Sequence, residues 1–276
     1  MSAVQSVIAI RDIQTVQELL QVEQLQKEVW GVADREVLPA LAMIPMREVG
    51  GVLLGAFENG KLIGFSFAFP GFEEGKPILH SDMLAVLPSY RSLGLGLQLK
   101  LAQREQALEK NVDTITWTFD PLQSLNANLN FGKLGVVSDR YFVNYYGATT
   151  SFLHSTGTDR LWVTWQLNSE WVKERLAAPT SKVALDDKLP IIIAVGSDEE
   201  PITALTFETS TVYLEIPGDY NKLIRERNEL AVSWREATRD AFMKALAEGY
   251  IVNDFSFIKT TERSIGRYQL TRNRIS

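Results

Sequence analysis

The chain of 276 residues contains no cysteine. Disulfides, thiolate metal sites and cysteine nucleophiles are thereby excluded. Histidine is almost as scarce: His80 and His154 are the only two. That is too few for a histidine-rich centre, so no metal is expected. No apolar run approaches the ~20 residues of a membrane helix. The start, MSAVQSVIAIRDIQ, lacks a basic stretch followed by a long apolar one, so no signal peptide is expected. The expectation is a soluble cytoplasmic protein with no membrane partner. Positive charge is not in excess either, with 28 Lys and Arg against 34 Asp and Glu and a net charge of −6. This balance argues against a polyanion binder and against nucleic acid as a partner. It leaves room for one local anion site.

What remains is a chain built to fold. Hydrophobic residues make up 45% and charged residues 22%, which favours a packed core over disorder. SVIAI at 6–10 reads as a first strand. Thr15 to Glu18 reads as a capping box. Val16, Leu19, Leu20, Val22, Leu25, Val29 and Trp30 recur at helical spacing, which predicts an amphipathic helix over 15–30. Asn59-Gly60 lies between two apolar runs and predicts a type I′ hairpin joining strands at 52–57 and 62–69. A strand at 78–86, a helix at 95–110, a strand at 113–119, a short helix at 124–134 and a strand at 160–167 follow. Over 169–190 the pattern fades, and AAPTSKVALDDKLP reads as a linker. Beyond it stand strands in IIIAV and STVYLEI, a long helix at 219–248, and closing strands in YIVNDFSFI and GRYQL. The expected organisation is a domain at 1–168, a linker at 169–190 and a smaller α+β extension at 191–276. The class is α/β, with both antiparallel hairpin and parallel crossover pieces.

The segment LAVLPSYRSLGLGLQLK, residues 84–100, carries the chemistry. A strand runs through Pro88 and Arg91 into Gly94 and Gly96, and then directly into a helix. Glycine lets backbone approach a ligand with no Cβ in the way. The first turn of the helix adds free N–H groups and the positive end of its dipole, a cradle suited to phosphate. Two phosphate motifs do not fit. A Walker A loop needs Lys-Ser or Lys-Thr where Leu97-Gln98 stands, and the dinucleotide fingerprint needs a third glycine where Leu99 stands.

The pattern Arg91-x-x-Gly94-x-Gly96 resembles the pyrophosphate loop of the GNAT superfamily of N-acyltransferases. Here it is embedded in Leu84-x-Val86-x-Pro88-x-Tyr90-Arg91 and followed by Leu99, similar to the superfamily's central strand, loop and helix. A second block, with Ser124, Ala127, Asn130, Phe131, Lys133 and Gly135, resembles the last core helix of that superfamily. The run DPL…NA…N…KLG…Y…N.YG, together with residues 211–271, resembles a sparsely characterised branch with a C-terminal extension. Some relatives in that branch are linked to amino-acid N-succinylation. The resemblance implies a GNAT-like mixed, mainly antiparallel sheet with flanking helices. It also implies acetyl-CoA or another acyl-CoA as co-substrate and a small-molecule amine as acceptor. The alternative is a non-catalytic acyl-CoA binding or sensing protein. A third reading is an interaction protein whose glycine turn is only a turn.

On the first reading, Leu84, Ala85 and Val86 meet the pantetheine arm, and Arg91, Ser92, Leu93, Gly94, Leu95 and Gly96 meet the pyrophosphate. Asn126 and Asn130 are further cofactor candidates. Strand alternation puts His80, Asp82, Leu84 and Val86 on one face. His80 aligns with a base position of the superfamily, and Asp82 is a candidate for substrate binding or for the base itself. A core hydrogen bond for His80 and a local pairing for Asp82 remain open. The superfamily's acid, a tyrosine, falls at Phe131, which has no proton to give. Tyr141, Tyr145 and Tyr146 follow, and Tyr145 is taken as a substrate candidate. Arg235 and Arg239 share one helix face and are candidates to grip a carboxylate. A salt-bridged surface is the plainer alternative. Long helices and hairpin edges keep a homodimer open.

Overall fold

The computed structural model describes residues 7–178, 186, 188–259 and 263–272. The chain forms two compact units, one of residues 1–117 and 149–152 and the other of 118–148 and 153–276.

The first unit holds β1 (Ile8–Asp12), α1 (Val16–Trp30), α2 (Ala40–Glu48), β2 (Val52–Glu58), β3 (Lys61–Glu73), β4 (Lys76–Val86), α3 (Leu95–Glu109) and the start of β5 (Thr114–Phe119). Its strands lie in the order β1-β2-β3-β4-β5, antiparallel except for the parallel pair β4–β5. The capping box forms as the sequence requires. The Thr15 side chain accepts from the Glu18 N–H, and the Glu18 carboxylate accepts from the Thr15 N–H. Gly31 closes α1 in the left-handed region. Asn59 and Gly60 take φ of 50° and 79°, as a type I′ turn demands. Glu74-Gly75 repeats that geometry, with φ of 50° and 78°, and lengthens β3 and β4 beyond their expected ends. β2 is buried along nearly its whole length, as a strand covered on both faces should be.

The second unit holds α4 (Ser124–Ala127), β6 (Val137–Phe142), β7 (Arg160–Gln166), α5 (Glu170–Ala177), β8 (Ile191–Val195), β9 (Pro201–Thr203) and β10 (Thr211–Pro217). It continues with α6 (Tyr220–Glu226), α7 (Asn228–Ala247), β11 (Ile251–Lys259) and β12 (Ser264–Thr271). The strand order is β7-β6-β11-β12-β10-β8-β9. Only β8 and β10 pair in parallel among the described residues.

The units therefore divide within β5, whereas the fading pattern pointed to a boundary at 169–190. The reason is packing. Phe131 stacks edge-on against Tyr268 at 5.7 Å across the expected linker, and Arg175 within it pairs with Asp254, so the linker and the segments on either side share one core. Part of that linker is α5, and residues 179–185 and 187 lie outside the described residues. The helix expected at 124–134 starts as α4 and widens into a π-helical turn over Asn128–Leu134. The helix expected at 219–248 breaks at Arg227, whose φ of −143° and ψ of 61° separate α6 from α7.

Candidate active site

β4 and β5 are in register only at Leu79↔Ile115 and His80↔Thr116. β4 runs on to Val86, still paired with β3 on its other side. From Ser81 to Val86 its edge toward β5 is thus free of register pairing, and offers backbone N–H and C=O groups to an extended ligand. A bulge interrupts the β3 pairing at the same place. Met83 faces Phe67 and Ser81 faces Ala68, so Asp82 is the extra residue. Bulges re-aim a side chain where a regular strand would not.

After Val86 the chain makes a short 3-10 turn over Pro88–Leu93 and enters α3 through Gly94. Gly94 has φ of 71°, and a Cβ there would meet nothing within 4 Å, so the turn opens onto free space. Arg91, Ser92, Leu93 and Gly94 are exposed. No side chain caps α3, and its first turn carries no acidic residue. The Leu97 N–H bonds back to the Gly94 carbonyl at 3.1 Å, while the Leu95 and Gly96 N–H groups precede that first helical bond. The Arg91 Nε reaches back to the Val86 carbonyl at 3.4 Å, which keeps its charge beside the turn. An uncapped helix start, an open glycine turn and an arginine fit a phosphate-bearing ligand such as coenzyme A.

His80 is half-buried. Its Nδ1 lies 3.0 Å from the Thr116 hydroxyl, and its ring packs on Phe69 with centroids 5.4 Å apart. Burial first, and then the positive charge of Lys100, lower its pKa to about 4. The imidazole is therefore neutral throughout the physiological range. Asp82 moves the other way. Its edge is open to solvent, but protein atoms crowd the carboxyl and the resulting desolvation raises its pKa.

Lys100 is the residue that sequence reasoning missed. It stands on α3 only 2% exposed. Its Nζ donates to the Ser81 hydroxyl at 2.7 Å and to Gln103 Oε1 at 3.2 Å, and lies 3.6 Å from the centre of the Trp117 ring. Desolvation holds its amine well below the ordinary lysine value. The available signal was the run Leu95, Leu99 and Ala107, which sets the inward face of α3. Lys100 adjoins Leu99 on that face.

The remaining candidates fall in the second unit. Asn126 is exposed in the first turn of α4. Asn130 is buried, and its carbonyl accepts from the Val136 N–H. Phe131 is fully buried between Phe119 and Tyr268. Tyr141 donates to Asp159 at 2.8 Å, and burial raises its phenol further above the ordinary value. Tyr145 is 44% exposed and packs on Phe142 and Tyr146. Arg235 is 1% exposed and forms a bidentate pair with Asp120, at 2.8 and 2.7 Å. Arg239 does the same with Asp159, at 2.8 and 3.0 Å. Both arginines thus have their charge met by a carboxylate of the chain itself. α7 turns Arg235 into the core, while the Arg239 side chain stays 27% exposed.

No group of His, Asp or Glu able to hold a metal occurs among the described residues. No helix among them is long and apolar enough to cross a membrane. A cavity of about 360 Å³ lined by Asp12, Arg47, Gln106 and Lys110 shares no residue with β4 or the glycine turn.

The mixed sheet, mostly antiparallel with flanking helices and followed by further strands and helices, is a GNAT-like fold. Residues 15–135 match the model of the acetyltransferase (GNAT) family, a stretch from the cap of α1 to the glycine after the π-helical turn. No curated protein matches the sequence. Among solved structures, the chain is similar to the ribosomal-protein-S18-alanine N-acetyltransferase of Escherichia coli, with 16% identity and a TM-score of 0.46 over 59% of this chain and 96% of that one. It is similar to yncA of Salmonella typhimurium, solved with its cofactor acetyl-CoA, with 15% identity and a TM-score of 0.48 over 59% and 96%. It is also similar to an acetyltransferase of the GNAT family from Streptococcus pneumoniae, with 15% identity and a TM-score of 0.45 over 57% and 98%.

Proposed function

We propose that this protein is an acyl-CoA-dependent N-acyltransferase that acts on the amine of a small molecule such as an amino acid. The observation that carries the reading is the uncapped start of α3 at the open Gly94 turn, directly after a strand whose outer edge is free. The family match over residues 15–135 supports it. A bound acyl-CoA supplies an acyl group activated as a thioester. Backbone N–H groups at Leu95 and Gly96, with the Arg91 guanidinium, meet its phosphates. The free edge of β4 at Leu84–Val86 aligns the extended arm by main-chain hydrogen bonds, and an N–H there is placed to polarise a carbonyl. Holding both reactants supplies much of the rate.

The amine must lose a proton. His80 is neutral and ready to accept one, yet at a pKa of about 4 it is a weak base. Asp82, the bulged residue two positions on, has a raised pKa and is the candidate to hold the ammonium or take the proton. His80→Ala and Asp82→Asn assign the roles. Loss of kcat alone marks the base, and a rise in KM alone marks the binder. Phe131 has no proton to give and the Tyr141 hydroxyl is held by Asp159, so either another group such as Tyr145 or Tyr146 serves or the thiolate leaves unassisted, which is tolerable because it is a good leaving group.

The test is release of free coenzyme A from acetyl-CoA and succinyl-CoA across a panel of amines. Turnover with at least one amine, lost in the His80 or Asp82 variants without loss of acyl-CoA binding, is the expected result. Binding without turnover for any pair would favour a non-catalytic acyl-CoA sensor, a reading that the low basicity of His80 supports.

A further inference from the structure

Two successive residue pairs mark the place where β4 and β5 stop pairing. The last pair in register is His80↔Thr116, whose side chains meet at 3.0 Å. The next would set Ser81 opposite Trp117, and there the register ends. Lys100 touches both of these residues. Its Nζ donates to the Ser81 hydroxyl at 2.7 Å and lies 3.6 Å from the centre of the Trp117 ring. It reaches them from α3, which packs on β2, β3 and β4. One side chain thus spans the two strands at the first position past their register.

The arrangement is costly. Lys100 is the only lysine buried among the described residues, and burial disfavours its charge. Gln103 turns its Oε1 to the amine at 3.2 Å and leaves its own Nε2 buried with no partner among the described residues. Packing does not require a lysine here, since apolar side chains replace buried charge at equal or better stability in many folds. An apolar chain would fill the space but could not bond Ser81. The best-attested use of such a buried polar group is to fix register. The place suits that use. Past it β4 pairs with β3 alone, and the stretch begins with the bulge at Asp82.

We infer that Lys100 is a positioning residue: it ties β4 to β5 at the end of their register, and so fixes the free edge of β4 from Ser81 to Val86 for the extended arm of the ligand. The identity of that ligand rests on the acyltransferase reading. Lys100 itself touches no reacting atom and acts through Ser81 and Trp117.

The test titrates the full chain with acetyl-CoA and with the phosphoadenosine diphosphate half of coenzyme A, which keeps the phosphates and lacks the arm. Lys100→Met is expected to weaken acetyl-CoA by about tenfold or more and to leave the arm-less half within about twofold, because the Gly94 turn is untouched. A merely structural lysine would weaken both alike. In the free variant the amide signals of Ser81 to Val86 shift or broaden, while those of Gly94 and Gly96 stay. Ser81→Ala removes the same bond and keeps the amine, so it makes the same comparison where Lys100→Met folds poorly. Equal losses for the two ligands, or none, in a folded variant would overturn the inference and leave the acyltransferase reading in place. If the wild type binds neither ligand, that reading falls and this inference falls with it.

Discussion

Lys100→Met is the most revealing single change in the first unit. It removes a buried amine and keeps an unbranched chain of similar length. Lys100 binds its proton less tightly in the folded chain than in the unfolded one, because burial penalises the charge. The sign follows by linkage. Above the unfolded value of 10.5 neither state is protonated, and the lysine carries no such penalty. Below it the unfolded chain takes up a proton that the native fold resists, so native stability is reduced across the neutral range. Set against this are hydrogen bonds to Ser81 and Gln103, about 1 kcal/mol each, and a ring contact of up to about 2 kcal/mol. Replacing buried charge by packed apolar side chains commonly gains about 1–4 kcal/mol. The two sums overlap, so the variant lies within ~3 kcal/mol of the wild type at pH 7, and it loses ground to the wild type by pH 10, where the penalty on the wild type fades. Guanidinium unfolding at the two pH values measures it. The same variant reports on His80, whose pKa rises once the Lys100 charge is gone but stays below the ordinary histidine value, since desolvation remains. With only two histidines in the chain, His154→Gln assigns the proton spectrum. A variant that gains on the wild type between pH 7 and pH 10, or a wild-type His80 titrating near 6.5, would refute the reasoning.

Three further outcomes are expected. Arg235→Met alone costs about 3–5 kcal/mol because Asp120 is left charged and buried, while Arg235→Met with Asp120→Leu recovers most of it; a double-mutant cycle by calorimetry checks both. Asp120 and Asp159 have pKa values lowered by their arginines, so the stability they contribute is fully present above the unfolded value of 3.8 and is lost as pH falls from there through the lower folded-state values; circular dichroism of an acid titration should show the second unit melting below 3.8. Gly94→Ala costs about 1–2 kcal/mol from the left-handed backbone alone, since its Cβ meets nothing within 4 Å, and a loss of coenzyme A affinity of tenfold or more would show that the ligand needs that space.

Local chemistry was the legible part of the sequence. Thr15 and Glu18 cap α1, and Asn59-Gly60 turns the hairpin, because each signal is decided by residues within one turn of chain. Glu74-Gly75 makes the same turn without the asparagine, and so escaped notice. The glycine turn at Gly94 was readable for the same local reason. Residues whose roles depend on distant partners were not. Nothing in the sequence near Arg235 names Asp120, and nothing near Lys100 names Trp117 as its neighbour. The helix at 219–248 has unbroken apolar spacing, yet tertiary packing overrides it at Arg227. The boundary at 169–190 followed polarity, whereas the units divide where the cores do, inside β5.

The central claim is that the turn at Gly94 receives the phosphates of an acyl-CoA. The direct measurement is the melting temperature of the full chain with acetyl-CoA and succinyl-CoA, each up to millimolar, beside coenzyme A alone. A ligand at a hundred times its Kd adds roughly 2.7 kcal/mol, enough to move the transition by several degrees. A concentration-dependent rise that Gly94→Ala diminishes is the expected result. An unchanged transition with all three ligands would contradict the account and leave the glycine turn as a turn.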